Sequence, residues 1–274
     1  MNVDGTDRLL TAAQQAGIQQ VVYLSTAGVY GGIGTGGTES TLTPAPASPL
    51  SRSRLAAEQL VLDVGGTVVR PNAVVGAEDR WYLTQLLAIM LGYGVWIEDG
   101  APRVSVIEAS LLGQVLASLA LVPGDGGVYH AASPDPVTIR ELVSPALSKL
   151  GAAPERSIGG SALLELATTL GVSHSQLQMV AEDNLFDTSK LWSRLPDLAH
   201  EVRLSDDDIA WFALAVKAAL ARQYALVRAR AISMSCCENT VTQLASWCDA
   251  VMLTGASSSA KRSHSSATAC GGAP

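Results

Sequence analysis

The sequence has few aromatic residues and few charges. Only 5% of its 274 residues are Phe, Trp or Tyr and 16% are charged, whereas 48% are hydrophobic. The core therefore has to be built mainly from Ala, Val and Leu, and the chain is too apolar to be disordered throughout. The net charge of −7 argues against binding to nucleic acid, because such binding usually takes a basic face.

Long apolar segments are also lacking. A largely apolar uncharged run at residues 81–97 is shorter than the ~20 residues that a bilayer span needs, and it contains Thr84 and Gln85. The N-terminus carries Asp4 and Asp7 and no apolar segment of the kind found in secretory signals. We therefore expect a soluble, cytoplasmic protein that does not bind membranes.

Cysteine is confined to one end of the sequence. All four cysteines lie between residues 236 and 274, and none forms a C-x-x-C pair. Their spacing does not match structural zinc sites, so no metal site is predicted. From residue 224 to 274 the sequence is rich in Ser, Ala and Thr, and its hydrophobic periodicity is weak. We predict a low-order tail there. A short helix at residues 241–253 is an alternative for part of it.

Helix and strand patterns alternate along the first half of the chain. A helix ending at Gly17 precedes a buried strand at residues 21–24, and a helix capped by Ser51 or Ser53 precedes a strand at residues 67–70. This order is typical of a parallel α/β sheet with right-handed crossovers. Further helices are predicted at residues 81–92, 111–121, 138–150, 161–170 and 205–220, and further strands at residues 104–106 and 127–131. Thr138 and Glu141 are predicted to form a capping box at the start of the helix at residues 138–150.

A glycine cluster follows the first predicted strand. Residues 32–37, GIGTGG, have the G-x-G-x-x-G spacing of a dinucleotide-binding turn. Such a turn needs a helix directly after it, because the free N–H groups and the dipole of that helix hold the pyrophosphate. Here TESTLTPAPASPL follows, and its prolines prevent a helix from starting. We therefore interpret the cluster as a flexible loop rather than a cofactor site.

Three segments carry a resemblance to a known family. They are NVDGTDRLLTAAQQAGIQQVVYLSTAGVYG at residues 2–31, SPLSRSRLAAEQLV at residues 48–61 and TVVRPNAVVG at residues 67–76. Together they resemble the Asn-Val-x-Gly-Thr helix and following strand, the catalytic helix and the Arg-Pro turn of extended short-chain dehydrogenases/reductases, the NAD-dependent epimerase/dehydratase type. The resemblance covers roughly residues 2–217. It implies a partial Rossmann-like parallel sheet, the C-terminal half of the family's sheet, with a small and mostly helical substrate subdomain.

The resemblance also implies an organisation into domains. A truncated dehydrogenase-like domain is expected at residues 1–223, followed by the tail. Within this domain the Rossmann part is expected at about 1–76 and 104–133, and the substrate subdomain at about 77–103 and 134–223. In the family, the glycine turn stands far upstream of the Asn-Val-x-Gly-Thr helix. By resemblance, the first four strands, with that turn and the acidic ribose-binding residue, are therefore expected to be missing.

The catalytic positions depart from the family pattern. Family members use a tyrosine as general acid/base and a lysine four positions later, a spacing that puts both side chains on one helical face. In this sequence the two positions are Leu50 and Arg54. Arginine keeps a positive charge and can bind a diol, but leucine has no proton to give. Because positioned acid–base catalysis is typically worth ~10²–10⁴ in rate, we expect impaired catalysis.

The resemblance assigns roles to five residues. Thr26 matches the Ser/Thr that hydrogen-bonds the substrate oxygen, and with Arg54 it is the candidate for catalysis. Arg54, Pro71 and Asn72 are the candidates for cofactor binding. Thr26, Asn72 and Arg103 are the candidates for substrate binding, and Arg103 would act as an anion clamp for a substrate phosphate. The purely structural alternative is that Arg54 and Arg103 are solvated surface charges and that Asn72 only closes a turn.

Other polar residues near these positions are given structural interpretations. Tyr30 stands in the Val-Tyr-Gly motif, where the family's tyrosine is ordinarily a packing residue, and a catalytic role for it is the less favoured alternative. His130 follows a strand tyrosine and is interpreted as a satisfied core or rim histidine. Glu108, Ser110 and Leu111 stand where the family has a Val-His-Val-Asp-Asp-like segment, so that site is also eroded.

Two function hypotheses result. The resemblance implies an NAD(P)-dependent epimerase, dehydratase or reductase acting on a nucleotide sugar or a small carbonyl or hydroxyl substrate, with impaired activity in this chain. The alternative is a catalytically silent remnant, or an interaction or scaffold protein, that binds no cofactor. In either case the strand at residues 21–24 is expected to form an exposed apolar sheet edge. A second copy or a partner chain would cover that edge.

Overall fold

The computed structural model describes residues 2–80, 82–151, 154–170, 174–199 and 201–233. The predicted tail beyond residue 233, with its four cysteines, lies outside these ranges. The helices are α1 (Asn2–Gln15), α2 (Pro49–Asp63), α3 (Leu83–Tyr93), α4 (Ala109–Leu121), α5 (Ile139–Leu150), α6 (Gly160–Leu170), α7 (His174–Ala181), α8 (Ser189–Arg194) and α9 (Asp206–Ser233). The strands are β1 (Val22–Leu24), β2 (Thr67–Pro71), β3 (Ala73–Val75), β4 (Val95–Ile97), β5 (Arg103–Val104), β6 (Val106–Glu108), β7 (Val128–Ala131), β8 (Val137–Thr138) and β9 (Arg156–Ile158).

A three-stranded parallel sheet of order β1-β2-β7 positions the candidate site. Successive side chains of a strand point to opposite faces, and β2 shows this clearly. Val68 packs with Leu10 and Val61 of α1 and α2, whereas Val69 packs with Val115 and other residues of α4. Helices therefore cover both faces of the sheet, as expected for parallel sheets, and the predicted α/β class is confirmed.

The remaining strands form two-stranded pairs. β3 pairs with β6 and β4 with β9 in parallel, and β5 pairs with β8 in antiparallel fashion. The strand predicted at residues 104–106 is divided at Ser105 between β5 and β6. A second apolar cluster joins α3, α5 and α9 around Leu87, Val143 and Phe212. This part of the fold is mostly helical.

The start of α2 differs from its prediction. The cap is Ser48, not Ser51 or Ser53: its Oγ accepts a hydrogen bond from the Ser51 backbone N–H at 3.0 Å, and the Ser48 N–H donates to Ser51 Oγ at 3.1 Å. Pro49 occupies the first helical position, where its missing N–H is not needed. The prediction was wrong because Pro49 was counted as loop.

Two later helices compare differently with their predictions. For α5 the predicted capping box is confirmed, since Thr138 Oγ1 accepts from the Glu141 N–H at 3.1 Å and Glu141 Oε2 accepts from the Thr138 N–H at 2.8 Å. The last helix, α9, does not end near residue 220 but continues to Ser233. It therefore extends past the position where the composition of the sequence changes.

The cap of α2 gives a testable prediction. Ser48→Ala should lower the free energy of unfolding by about 1 kcal/mol, because the Ser51 N–H loses the oxygen that accepts from it. Ser144→Ala is the matched control: the Ser144 hydroxyl donates to the Arg140 carbonyl at an exposed position of α5, so a change within about 0.5 kcal/mol is expected. Urea unfolding measures both variants. Equal losses for the two would contradict the assignment of Ser48 as the cap.

Candidate functional site

The candidate site lies where β1, β2 and β7 end. Ligands of open α/β sheets bind outside the carboxyl ends of the strands, and the predicted site residues Thr26 and Asn72 stand at that edge together with His130. Thr26 follows β1 by two residues, Asn72 directly follows β2, and His130 is the second-last residue of β7.

Thr26 starts a 3₁₀ helix at Ala27–Tyr30. Its backbone is extended, and its Oγ1 accepts a hydrogen bond from the Gly28 N–H at 3.1 Å. A hydroxyl can donate and accept at once, so the Thr26 proton is still available to a ligand oxygen. The side chain caps a short helix and also faces the carboxyl edge of the sheet.

Leu50 and Arg54, the two positions of the family's catalytic pair, both lie on α2. Leu50 is 59% exposed and offers no polar group. Arg54, one helical turn later, donates from Nη1 to the Leu24 carbonyl oxygen at 3.3 Å. This contact brings the guanidinium to the end of β1, two residues before Thr26. The structure therefore brings Thr26 and Arg54 to the same edge, and Leu50, one helical turn before Arg54, cannot transfer a proton.

Pro71 and Asn72 are engaged in the framework of the fold. Pro71 is the last residue of β2 and pairs with Ala131 of β7. The Asn72 side chain donates from Nδ2 to the Ser105 carbonyl at 3.0 Å, and its Oδ1 accepts from Asn184 Nδ2 at 3.4 Å. The amide of Asn72 thus links β2 to the segment at residues 184–187, which the sequence did not indicate.

Arg103 lies in an exposed ion pair with Asp183. Its Nη2 and Nε donate to Asp183 Oδ2 at 2.8 and 3.1 Å, and its backbone N–H donates to Asp183 Oδ1 at 2.7 Å. The hydrogen bonds from the Arg103 backbone and side chain lower the pKa of Asp183 below its usual value. A substrate phosphate would have to compete with this carboxylate for the guanidinium.

A buried ion pair stands at the centre of the edge. Arg70 and Glu58 are only 5% and 1% exposed. Arg70 Nε donates to Glu58 Oε1 at 3.1 Å and Arg70 Nη2 to Glu58 Oε2 at 2.5 Å, a bidentate pair, and the Ser25 hydroxyl also donates to Glu58 Oε1. Buried charges are stable only when paired. The sequence did carry a signal for this contact: Glu58 and Arg70 are opposite charges that each lie within a mainly apolar stretch, in α2 and β2 respectively.

Tyr30 and His130 extend this pair into a longer chain of hydrogen bonds. Arg70 Nη1 donates to Tyr30 Oη at 2.7 Å, and Tyr30 Oη lies 2.6 Å from His130 Nε2. His130 Nδ1 lies 3.0 Å from the Asp187 carbonyl oxygen. That oxygen can only accept, so the proton of the neutral ring is assigned to Nδ1, and Nε2 accepts from Tyr30. We call Ser25, Glu58, Arg70, Tyr30 and His130 the buried polar network.

Burial sets the protonation of the network's outer members. It lowers the pKa of His130, and although nearby Glu39 acts in the opposite direction, the net shift is downward. The ring is 1% exposed and both of its nitrogens are bonded, as predicted for a satisfied core histidine. Burial also raises the pKa of the Tyr30 hydroxyl, against the opposing effect of Arg70.

The glycine cluster is not the flexible loop that the sequence predicted. The Gly34 N–H donates to Asn184 Oδ1 at 2.7 Å, the Gly36 N–H to the Leu185 carbonyl at 2.8 Å, and the Leu185 N–H to the Gly34 carbonyl at 3.0 Å. A Cβ on Gly34 would lie 2.2 Å from the Leu185 oxygen. The glycines therefore permit a close approach to residues 184–187. The next α-helix begins only at Pro49, so the cluster is not a dinucleotide turn.

The described residues do not fit a complete nicotinamide dinucleotide. A pyrophosphate needs free N–H groups at the start of a helix, but the 3₁₀ helix after β1 has only four residues and its first N–H groups face Thr26. Gly159 and Gly160 join β9 to α6, yet Glu98 Oε1 already accepts from the Gly160 N–H at 3.0 Å.

Two features are absent from the part of the chain that the structure describes, a membrane-spanning helix and a cluster of metal ligands. None of its helices there combines the length and the apolarity that crossing a bilayer requires. In the same ranges, no three His, Cys, Asp or Glu side chains come close enough together to hold a metal ion.

Comparison with known proteins confirms the family resemblance. The model of the NAD dependent epimerase/dehydratase family matches residues 1–91. A 4-hydroxy-2-methyl-3-oxo-4-farnesyl-3,4-dihydroquinoline-1-oxide ketoreductase of Stigmatella aurantiaca is 32% identical over 160 residues, which are 55% of this chain and 48% of that protein. A 3 beta-hydroxysteroid dehydrogenase/Delta 5-->4-isomerase of Mycobacterium tuberculosis is 29% identical over 180 residues, 60% of this chain and 49% of that protein. The chain spans about half the length of the curated relatives that it matches.

A solved structure supports the fold. The RMD protein of Pseudomonas aeruginosa, solved in complex with NADPH, superimposes with a TM-score of 0.56 at 18% identity, over 79% of this chain and 73% of that one. At this identity the likeness concerns the architecture. The predicted Rossmann-like α/β fold and the resemblance to extended short-chain dehydrogenases/reductases are thus both confirmed.

The glycine loop gives the first testable prediction for this site. Gly34→Ala should destabilise the protein by about 1–3 kcal/mol, the usual effect of overpacking, because the added Cβ meets the Leu185 carbonyl. Gly32→Ala is the matched control, since nothing lies within 4 Å of a Cβ there. Thermal and urea unfolding measure both variants. A Gly34→Ala protein as stable as Gly32→Ala would contradict the observed packing.

His130 gives the second prediction for this site, a pH dependence of stability. Its folded pKa lies below the unfolded value of about 6.5, so the unfolded chain binds more protons in this range. The free energy of unfolding should therefore fall as the pH drops below about 6.5. His130→Asn should remove this part of the slope, as measured by urea unfolding between pH 5 and 8. An unchanged slope in the variant would argue against a neutral, buried His130.

Proposed function

We propose that this chain forms the substrate-side part of an NAD(P)-dependent oxidoreductase site that acts on a small carbonyl or hydroxyl compound, and that Leu50 impairs its catalysis. The observation that carries this proposal is the meeting of Thr26 and Arg54 at the carboxyl end of β1. In such a site Thr26 would hold the substrate oxygen, and Arg54 would bind the ribose hydroxyls of NAD or NADP. Asn72 would line the same edge.

A small uncharged substrate is favoured over a nucleotide sugar. The relatives by sequence are named as a ketoreductase and a hydroxysteroid dehydrogenase/isomerase, both of which concern ketones or secondary alcohols. Arg103, the residue expected to clamp a phosphate, is already held by Asp183. A nucleotide sugar stays the alternative substrate, and it would require Arg103 to leave that pair.

One observation favours the alternative function, a silent protein that binds a partner chain. In the described part of the chain β1 pairs with β2 alone, and Leu24 at its end is 41% exposed. A groove of about 280 Å³ lies between α1 and β1. Exposed sheet edges invite pairing with another chain, so a second copy or a partner would find both apolar surface and free backbone groups here.

Cofactor titration and a rescue variant test the proposed function. The wild-type chain, Leu50→Tyr and the double variant Leu50→Tyr/Arg54→Lys are titrated with NADH and NADPH by nicotinamide fluorescence. Each is then assayed for reduction of a small ketone ester by NADPH. We expect a gain of ~10²–10⁴ in rate for the double variant, the usual worth of a positioned acid. Leu121→Tyr, at another exposed leucine, is the matched control and should behave as wild type.

Two outcomes would contradict the proposal. If none of the folded variants binds either nucleotide, the oxidoreductase reading is wrong and the silent alternative gains support. If the wild type reduces the ketone as fast as the double variant, Leu50 is not the impairing residue.

A further inference from the structure

The buried polar network ends in a hydroxyl group whose chemistry the proposed function does not use. Tyr30 is half-buried, whereas Ser25, Glu58, Arg70 and His130 are buried. It closes the 3₁₀ helix that Thr26 begins, at the carboxyl edge of the sheet. Of the five residues in this network, Tyr30 is the least buried.

We propose that Tyr30, activated by His130, is a proton-exchanging base for a small ligand that carries an enolisable carbonyl group or a hydroxyl group. This inference rests on the proposed function for its ligand class, but it requires no nicotinamide. It would give the chain an acid–base group at the edge where Leu50 has none.

The position of His130 supports the activation of Tyr30. Its Nδ1–H is directed to the Asp187 carbonyl, so the Nε2 lone pair faces Tyr30 Oη at 2.6 Å. Burial raises the pKa of the Tyr30 hydroxyl and lowers the pKa of His130, so both groups are neutral at rest. The imidazole therefore takes the phenol proton in the same step in which Tyr30 takes a proton from the ligand, as an adjacent base assists a weak nucleophile. The Glu39 carboxylate accepts from the His130 backbone N–H at 2.6 Å. Its negative charge favours a positive ring when the proton arrives.

Arg70 is placed to stabilise negative charge on the Tyr30 oxygen. Its Nη1 donates to Tyr30 Oη at 2.7 Å, so a phenolate formed there keeps a charge-assisted hydrogen bond. Glu58 and Ser25 fix the guanidinium from the opposite side. Phe186 packs on the Tyr30 ring, with centroids 5.7 Å apart, and this contact limits the rotation of the phenol. The oxygen retains one lone pair for a ligand.

The step balances without any change of oxidation state. The Tyr30 proton moves to His130 Nε2, and Tyr30 Oη takes a proton from the ligand. With a ketone, the C–H bond next to the carbonyl breaks and its electron pair forms the enolate, while the imidazolium keeps the charge balanced. The reverse step returns a proton to carbon. In D₂O the proton on the network exchanges, so deuterium enters the ligand.

Hydrogen exchange of a ketone ester tests this inference. The full chain is mixed with ethyl 2-methylacetoacetate in D₂O without nicotinamide, and loss of the C–H signal is followed by proton NMR. The wild type should exceed the buffer rate, and Tyr30→Phe should lower the protein-dependent rate by about 10² or more. Tyr82→Phe is the matched control, because the Tyr82 hydroxyl donates to the Met179 carbonyl in another cluster. It should exchange as the wild type does.

His130→Gln gives an independent measurement should Tyr30→Phe fail to fold. In the wild type the exchange rate should rise with pH as His130 loses its proton, under the influence of Arg70, Glu58, Glu39 and Asp187. The glutamine variant should lose most of the rate and that pH profile. A residue that only packs would leave the profile in place.

The outcomes separate this inference from the proposed function. Exchange at the buffer rate in the wild type, or equal rates in wild type and Tyr30→Phe, would overturn the role of Tyr30, whatever the reduction assay gives. Exchange that depends on Tyr30, in a chain that binds no nicotinamide nucleotide, would support the role and remove only the oxidoreductase reading.

Discussion

The ion pair between Glu58 and Arg70 is the interaction on which the carboxyl edge of the sheet depends. Burying two charges is costly unless each finds its partner and further hydrogen bonds. Here one carboxylate accepts from a guanidinium and from Ser25, and the guanidinium also donates to Tyr30. These contacts join α2, β2 and the segment after β1. Removing either charge would leave the other unpaired in the interior. Because Arg70 also donates to Tyr30, the ion pair helps to fix the position of the Tyr30 hydroxyl.

The carboxyl edge therefore carries two distinct sets of polar and charged residues. Thr26, Leu50 and Arg54 stand where the family resemblance expects catalytic groups, and Leu50 interrupts that set. The buried polar network stands beside them and is complete, since each polar atom in it has a partner. The framework formed by the buried polar network holds the strand ends and the neighbouring loop in place without any contribution from Leu50.

The sequence predicted elements better than contacts. Strand β1 and the capping box of α5 follow from local patterns, because apolar runs and the Thr138–Glu141 spacing act over a few residues. The cap of α2 was placed wrongly because Pro49 is tolerated at the first helical position. The contact of Arg70 with Tyr30 could not be predicted from spacing, since partners 40 residues apart in the chain meet only through the sheet. The same holds for the packing of Gly34.

The attachment of the glycine loop to residues 184–187 has a kinetic consequence. Gly34 and Asn184 are separated by 150 positions in the chain, and contacts of such long range require the entropy of a large loop to be lost first. The helices between them form from near neighbours in the chain and can assemble earlier. We therefore expect the contact between the glycine loop and residues 184–187 to form late in folding, after the sheet and the helical cluster already exist. An early intermediate would present its strand ends uncovered to the solvent.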